Sequence, residues 1–154
     1  MGIVMKLHIL CALIIGTAAQ ANIWQSETQD GVLAATVQSE KGEISVFCDV
    51  GINAPITSIN FLIQDSAPAP LSNVALFFDK EPPIFVQTDI EGALGSTSET
   101  EAQNFSMLLE RMRGANALKV RLFNGISEKF TLKGSTSAIS NCTPDYQRLS
   151  MGLN

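Results

Sequence analysis

Two acidic pairs, Asp79 with Glu81 and Asp89 with Glu91, are the residues of this sequence best spaced for acid–base chemistry. Carboxyl groups held about 5–10 Å apart across a glycosidic bond can act as acid and base, or as acid and nucleophile. The same pairs also suit turns and strand ends, where carboxylates are solvated, and neither follows the D-x-[DN]-x-[DN]-G spacing of a calcium loop. We read them first as turn residues. A histidine-free, carboxylate-dependent hydrolase acting on envelope polysaccharide stands as the rival function, with Asp79 and Asp89 as its acids. Trp24 and Tyr146 are aromatic enough to stack on a sugar, but packing is the simpler role for each.

Other chemistries are removed with the first residues. Met1 to Lys6 carries one positive side chain, Leu7 to Ile15 is almost continuously apolar, and Ala19-Gln20-Ala21 is an A-x-A cleavage site. This is the layout of a secretory signal peptide over residues 1–21. Its apolar run falls short of the ~20 residues that cross a bilayer, and no later stretch is long and apolar enough to span one. Cleavage leaves 133 residues and takes away His8 and Cys11, so the mature chain has no histidine. Ser-His-Asp and Cys-His catalysis then lack a base, and histidine-ligated metal sites cannot be built. No cofactor or metal is expected.

Cys48 and Cys142 remain, too far apart for a CxxC motif. In an oxidising, periplasmic or secreted setting they read as one disulfide. Closing that loop stabilises by about 4 kcal/mol through lost unfolded-state entropy. The mature chain carries nine basic against fifteen acidic residues, a formal charge of −6. Such a balance speaks against general nucleic-acid binding.

The elements that position these residues are mostly strands. After a polar stretch from Asn22 to the turn pair Asp30-Gly31, the runs Val32 to Gln38 and Glu43 to Asp49 form a hairpin around Ser39 to Gly42. Cys48 shares a face with Ile44 and Val46, which points its sulfur inward. Further strands are expected at Ile56 to Gln64, Asn73 to Asp79 and Ile84 to Asp89, with Asp65 to Ser72 as a surface connection. A helix then begins at Thr97 or Ser98. Ser98 and Glu101 make a capping box, and Ala102, Phe105, Leu108, Leu109 and Met112 form one apolar stripe ending at Gly114 as C-cap. The period then changes to two. Leu118, Val120 and Leu122 face inward, Asn124-Gly125 turns the chain, and Phe130 and Leu132 return. Ser135 or Thr136 caps a short helix towards Cys142.

The expected fold is therefore mainly β, an antiparallel β-sandwich-like domain with one packed α-helix and a short C-terminal helix. One domain spans residues 22–143, and residues 144–154 form a loosely ordered tail.

Charge is segregated along this fold. Between Arg111 and Lys133 the net charge is +5, leaving −11 on the rest of the mature chain. If Lys119, Arg121 and Lys133 share the outer sheet face, they form a basic patch on an acidic protein. Such a patch would meet an anionic partner of the envelope: an acidic protein surface, lipopolysaccharide or a peptidoglycan carboxylate. Lysines on a solvated sheet edge would also discourage aggregation.

Several residues together carry a family likeness. They are the early Trp24, Cys48 on a strand, the helix with Phe105, the run Leu118-Lys119-Val120-Arg121, and Phe130-Thr131-Leu132-Lys133-Gly134 followed by Ala138 and Cys142. Behind a signal peptide, this arrangement resembles small exported proteins of Gram-negative bacteria, the invasion-associated locus B proteins and the VasI-like accessory proteins of type VI secretion. The resemblance implies a periplasmic β-sandwich-like domain with a non-enzymatic accessory role, and it supplies no catalytic residues. The expected function is that of an exported envelope binding or accessory protein, tied to secretion or host interaction or acting as an inhibitor.

Overall fold

The computed structural model describes residues 23–52 and 54–152. The expected signal peptide, with His8 and Cys11, lies outside them. In chain order the strands are β1 (Gln25–Gln29), β2 (Val32–Gln38), β3 (Gly42–Asp49), β4 (Ser58–Ile63), β5 (Asn73–Phe78), β6 (Ile84–Gln87), β7 (Ala117–Arg121) and β8 (Ser127–Thr131). They build two antiparallel four-stranded sheets, ordered β1-β2-β3-β4 and β6-β5-β7-β8. Helices α1 (Glu99–Gly114), α2 (Ser135–Ala138) and α3 (Asp145–Ser150) complete the elements of the described residues. None is long and apolar enough to cross a membrane.

Period-two alternation decides which side chains meet. Ile44, Val46, Ile59 and Phe61 from the first sheet join Val74, Leu76, Phe78, Leu118, Val120 and Phe130 from the second in one buried cluster. The apolar stripe of α1, with Phe105, Leu108, Leu109 and Met112, enters the same cluster. The mainly β, sandwich-like arrangement with one packed helix is thus the observed one. Burial of these side chains is the main favourable term holding the sheets together.

Helix α1 starts as its capping signals require. Ser98 Oγ accepts the Glu101 N–H at 3.3 Å, and Glu101 Oε2 accepts the N–H groups of Thr97 and Ser98 at 3.0 Å. Burial raises the Glu101 carboxyl, but these hydrogen bonds outweigh it and hold the group below its ordinary value. The far end differs from expectation. Gly114 is the last helical residue and extended Ala115 is the cap, its N–H donating to the Arg111 carbonyl, so no left-handed glycine is needed.

Strand β1 lies in a stretch read only as polar. It pairs with β2 through Asp30-Gly31, both at positive φ, the conformation of a two-residue hairpin turn. A Cβ on Gly31 would sit 2.6 Å from Ile52 Cγ2. All five β1 side chains are exposed, so burial leaves no alternation to read.

The segment after Pro144 corrects the expectation of a loosely ordered tail. Residues 145–150 form α3, whose Asp145 is fully buried and accepts the Thr57 N–H at 2.9 Å. Arg148 reaches from α3 to the carboxylates of Asp49 and Asp145 and donates to the Ala54 carbonyl. Asp49, at the end of β3, also accepts N–H groups from Gly51, Ile52 and Ala54 at 2.8–2.9 Å. Next to it in sequence, Cys48 is bonded to Cys142 with Cα atoms 5.3 Å apart. Cys48 is fully buried beside Ile44 and Val46, as its strand phase requires.

Candidate functional site

The outer face of the second sheet groups three cations that have no ion pair among the described residues, Lys119, Arg121 and Lys129. In antiparallel pairing, directly opposed residues point to the same face. Phe77 on β5 opposes Lys119 on β7, and Lys119 opposes Lys129 on β8. The adjacent row runs Phe85 on β6, Ala75 on β5, Arg121 on β7 and Ser127 on β8. Both rows face away from the core, because Leu76, Phe78, Leu118, Val120 and Phe130 take the inward phase.

Phe77 organises the cations. The Lys119 Nζ lies 5.8 Å from its ring centroid and the Arg121 guanidinium carbon 5.0 Å. Each contact is worth about 0.5–1 kcal/mol at an exposed site, and together they hold two positive groups in place without cancelling their charge. Lys119, Arg121 and Lys129 make no ion pair among the described residues. Two other cations of the basic block are engaged. Arg111 pairs with Glu81, and Arg113 donates to the Ile139 carbonyl at 2.6 Å. A concavity of about 840 Å³ opens beside this face, lined by Phe77, Lys119, Lys129, Asp79, Glu81 and Asn116 among others.

Lys133 is corrected out of the patch. It lies past the end of β8, in the turn before α2, whereas the residue opposite Lys119 is Lys129. The reason is that β8 stops at Thr131, so Lys133 has no strand partner; the turn decides instead which residue opposes Lys119. A two-residue turn on Asn124-Gly125 would oppose Phe123 with Ile126 and Lys119 with Phe130. Instead Leu122 donates its N–H to Ile126, and the loop is three residues long, Phe123, Asn124 and Gly125, with Gly125 alone at positive φ. That extra residue is what sets Lys119 against Lys129 and keeps Leu118 against Phe130. Phe77 and Phe85 join this face only through strand order, which places them beside β7 and leaves no local signal in the sequence.

The carboxylates of the rival reading do not converge. Asp79 accepts the N–H groups of Asn116 and Ala117 at 3.1 and 2.9 Å, fastening β5 to the start of β7. Glu81 is taken by Arg111. Asp89 closes its own turn by accepting Glu91 and Ala93 N–H groups at 2.8 and 2.9 Å. Asp79 and Asp89 line different concavities, that of Asp89 being a cleft of about 950 Å³ which also holds Glu91, Glu101 and Asp145. In that cleft Glu101 belongs to the helix cap and Asp145 to Arg148. No group of three or more His, Cys, Asp or Glu side chains able to hold a metal occurs among the described residues. Trp24 is buried in the core and Tyr146 is exposed.

A family model, YfjT, matches residues 22–139. That span contains all eight strands, α1 and α2, and stops before Cys142 and α3. No curated protein and no solved structure matches the chain.

Proposed function

The chain belongs to the YfjT family, and we propose that it is an exported, non-enzymatic binding or accessory protein of the bacterial envelope that takes an anionic partner on the outer face of its second sheet. The observation that carries this reading is the uncompensated trio Lys119, Arg121 and Lys129 around Phe77, on a mature chain of net charge −6. Cations left unpaired in an acidic protein raise the local concentration of anionic partners and speed their encounter.

Export to the periplasm or beyond is supported by the signal-like residues 1–21 and by the Cys48–Cys142 bond, which suits an oxidising compartment. The resemblance to the invasion-associated locus B and VasI-like proteins supports an accessory role in secretion, host contact or inhibition. The partner is then an envelope or secreted protein with an acidic surface, or an anionic component of the envelope itself.

The test is capture from envelope extract by residues 22–154 immobilised on a support. A Lys119→Glu, Arg121→Glu double variant should lose at least tenfold in captured partner while keeping its circular dichroism and melting temperature. Capture unchanged by the double variant would sink the basic-face reading.

A further inference from the structure

The basic face carries more than charge. Phe85 is 63 % exposed in the same row as Arg121, and Phe123 is 83 % exposed two residues beyond Arg121, at the tip of the β7–β8 turn. Neither ring packs into the core cluster. Exposed hydrophobic side chains also occur elsewhere, at Ile90, Leu71 and Met151, but Phe85 and Phe123 are the ones set beside cations, the composition of a surface that lies in a membrane interface.

We propose that this face docks on a phospholipid surface with anionic headgroups, with Phe85 and Phe123 entering the headgroup layer and Lys119, Arg121 and Lys129 at the phosphates. The inference rests on the basic-face reading and narrows its partner to a lipid bilayer. A small soluble anion would satisfy the cations and leave both rings in water. A second copy docking the same face would set three cations against three. A bilayer supplies negative charge and an apolar layer at adjoining depths, matching a face that presents both. Asp79 and Glu81 beside the face are engaged by backbone N–H groups and by Arg111, while the acidic residues farther away are repelled by the same surface, which favours approach by the basic side.

The experiment is co-sedimentation of residues 22–154 with phosphatidylcholine vesicles, with and without phosphatidylglycerol, alongside binding to soluble polyglutamate as a stand-in for an acidic protein. Expected is sedimentation with the anionic vesicles only, falling with added salt. Lys119→Glu, Arg121→Glu should lower it about a thousandfold, since four units of charge change near the surface. Phe85→Ser, Phe123→Ser should lower vesicle binding about tenfold while leaving polyglutamate binding intact. Phe123→Ser alone, at an exposed turn position, keeps the test open if the double variant fails to fold. Trp24 is buried, so sedimentation and not tryptophan fluorescence is the readout. Vesicle binding indifferent to the phenylalanines overturns the docking, and so does a dimer at working concentration that either double variant abolishes. Polyglutamate binding without vesicle binding overturns the lipid inference and leaves the basic-face reading standing. Binding to neither overturns both.

Discussion

Arg148 bears the heaviest electrostatic duty of any single residue. It is mostly buried and faces two buried carboxylates, Asp49 and Asp145, which between them also accept four backbone N–H groups. Burial alone lowers the guanidinium, but Asp145 and Asp49 outweigh it and raise it, so the group stays charged. Arg148→Ala leaves two buried negative charges without their counter-ion, and we expect a loss of about 3–5 kcal/mol in denaturant unfolding. Acid should act through the same site. Burial raises the Asp49 carboxyl, yet the Gly51 and Ile52 amides and Arg148 hold it below its ordinary 3.8. Its folded value is lower than its unfolded one, so the ionised form stabilises the fold above about pH 4, and this is lost as pH falls through the folded value. Unfolding free energy measured against pH should decline below about pH 4, with a shallower acid limb in Asp49→Asn. None of this was legible beforehand. Asp49 and Arg148 stand 99 positions apart, and nothing local in Asp145-Tyr146-Gln147-Arg148 distinguishes an anchored turn from a polar tail.

At the scale of elements, what was legible is what short-range chemistry determines. The α1 start could be read because Ser98 and Glu101 lie within one turn of each other, and the β2–β3 hairpin because its alternation is buried on one side. Ser98→Ala should cost about 1 kcal/mol, a fall of about 3–5 °C in melting temperature, whereas Ser98→Asp should be close to neutral because aspartate caps equally well. β1 is not legible from its pattern, because an edge strand with five solvated side chains carries no burial alternation; the Asp30-Gly31 pair is its one signal. The candidate site was legible in part for the same reason. Lys119 and Arg121 alternate within one strand, but the third member depended on where β8 ends and on the turn length that sets Lys129 opposite Lys119, neither of which alternation alone specifies.

For the whole molecule, a disulfide and an ion pair are among the fastenings that hold residues 142–148 to one corner of the first sheet. Cys48 takes Cys142 and its neighbour Asp49 takes Arg148. Denatured, unreduced protein of residues 22–154 should therefore show no thiol to a labelling reagent, and Cys48→Ser, Cys142→Ser should lower unfolding free energy by about 2–5 kcal/mol. Charge is also distributed at this scale. Of the +5 block from Arg111 to Lys133, the side chains of Lys119, Arg121 and Lys129 stand on the outer face of one sheet, and Asp79 and Glu81 line the concavity beside it. Partner binding through that face should weaken as salt rises above about 0.15 M, where charges more than about 8 Å apart are screened.

The corner at Cys48 and Asp49 also sets an order of events. A polypeptide emerges from the ribosome or a translocation channel with its N-terminal side first. Cys48 must then wait for 94 further residues and Asp49 for 99 before their partners arrive. Until that moment the first sheet can pair its strands but holds a free thiol and an acid without its counter-ion. A passage arrested before Cys142 leaves a domain whose strands are all present and whose latch is not, and Cys48 is the atom-sized mark by which such an intermediate would be recognised.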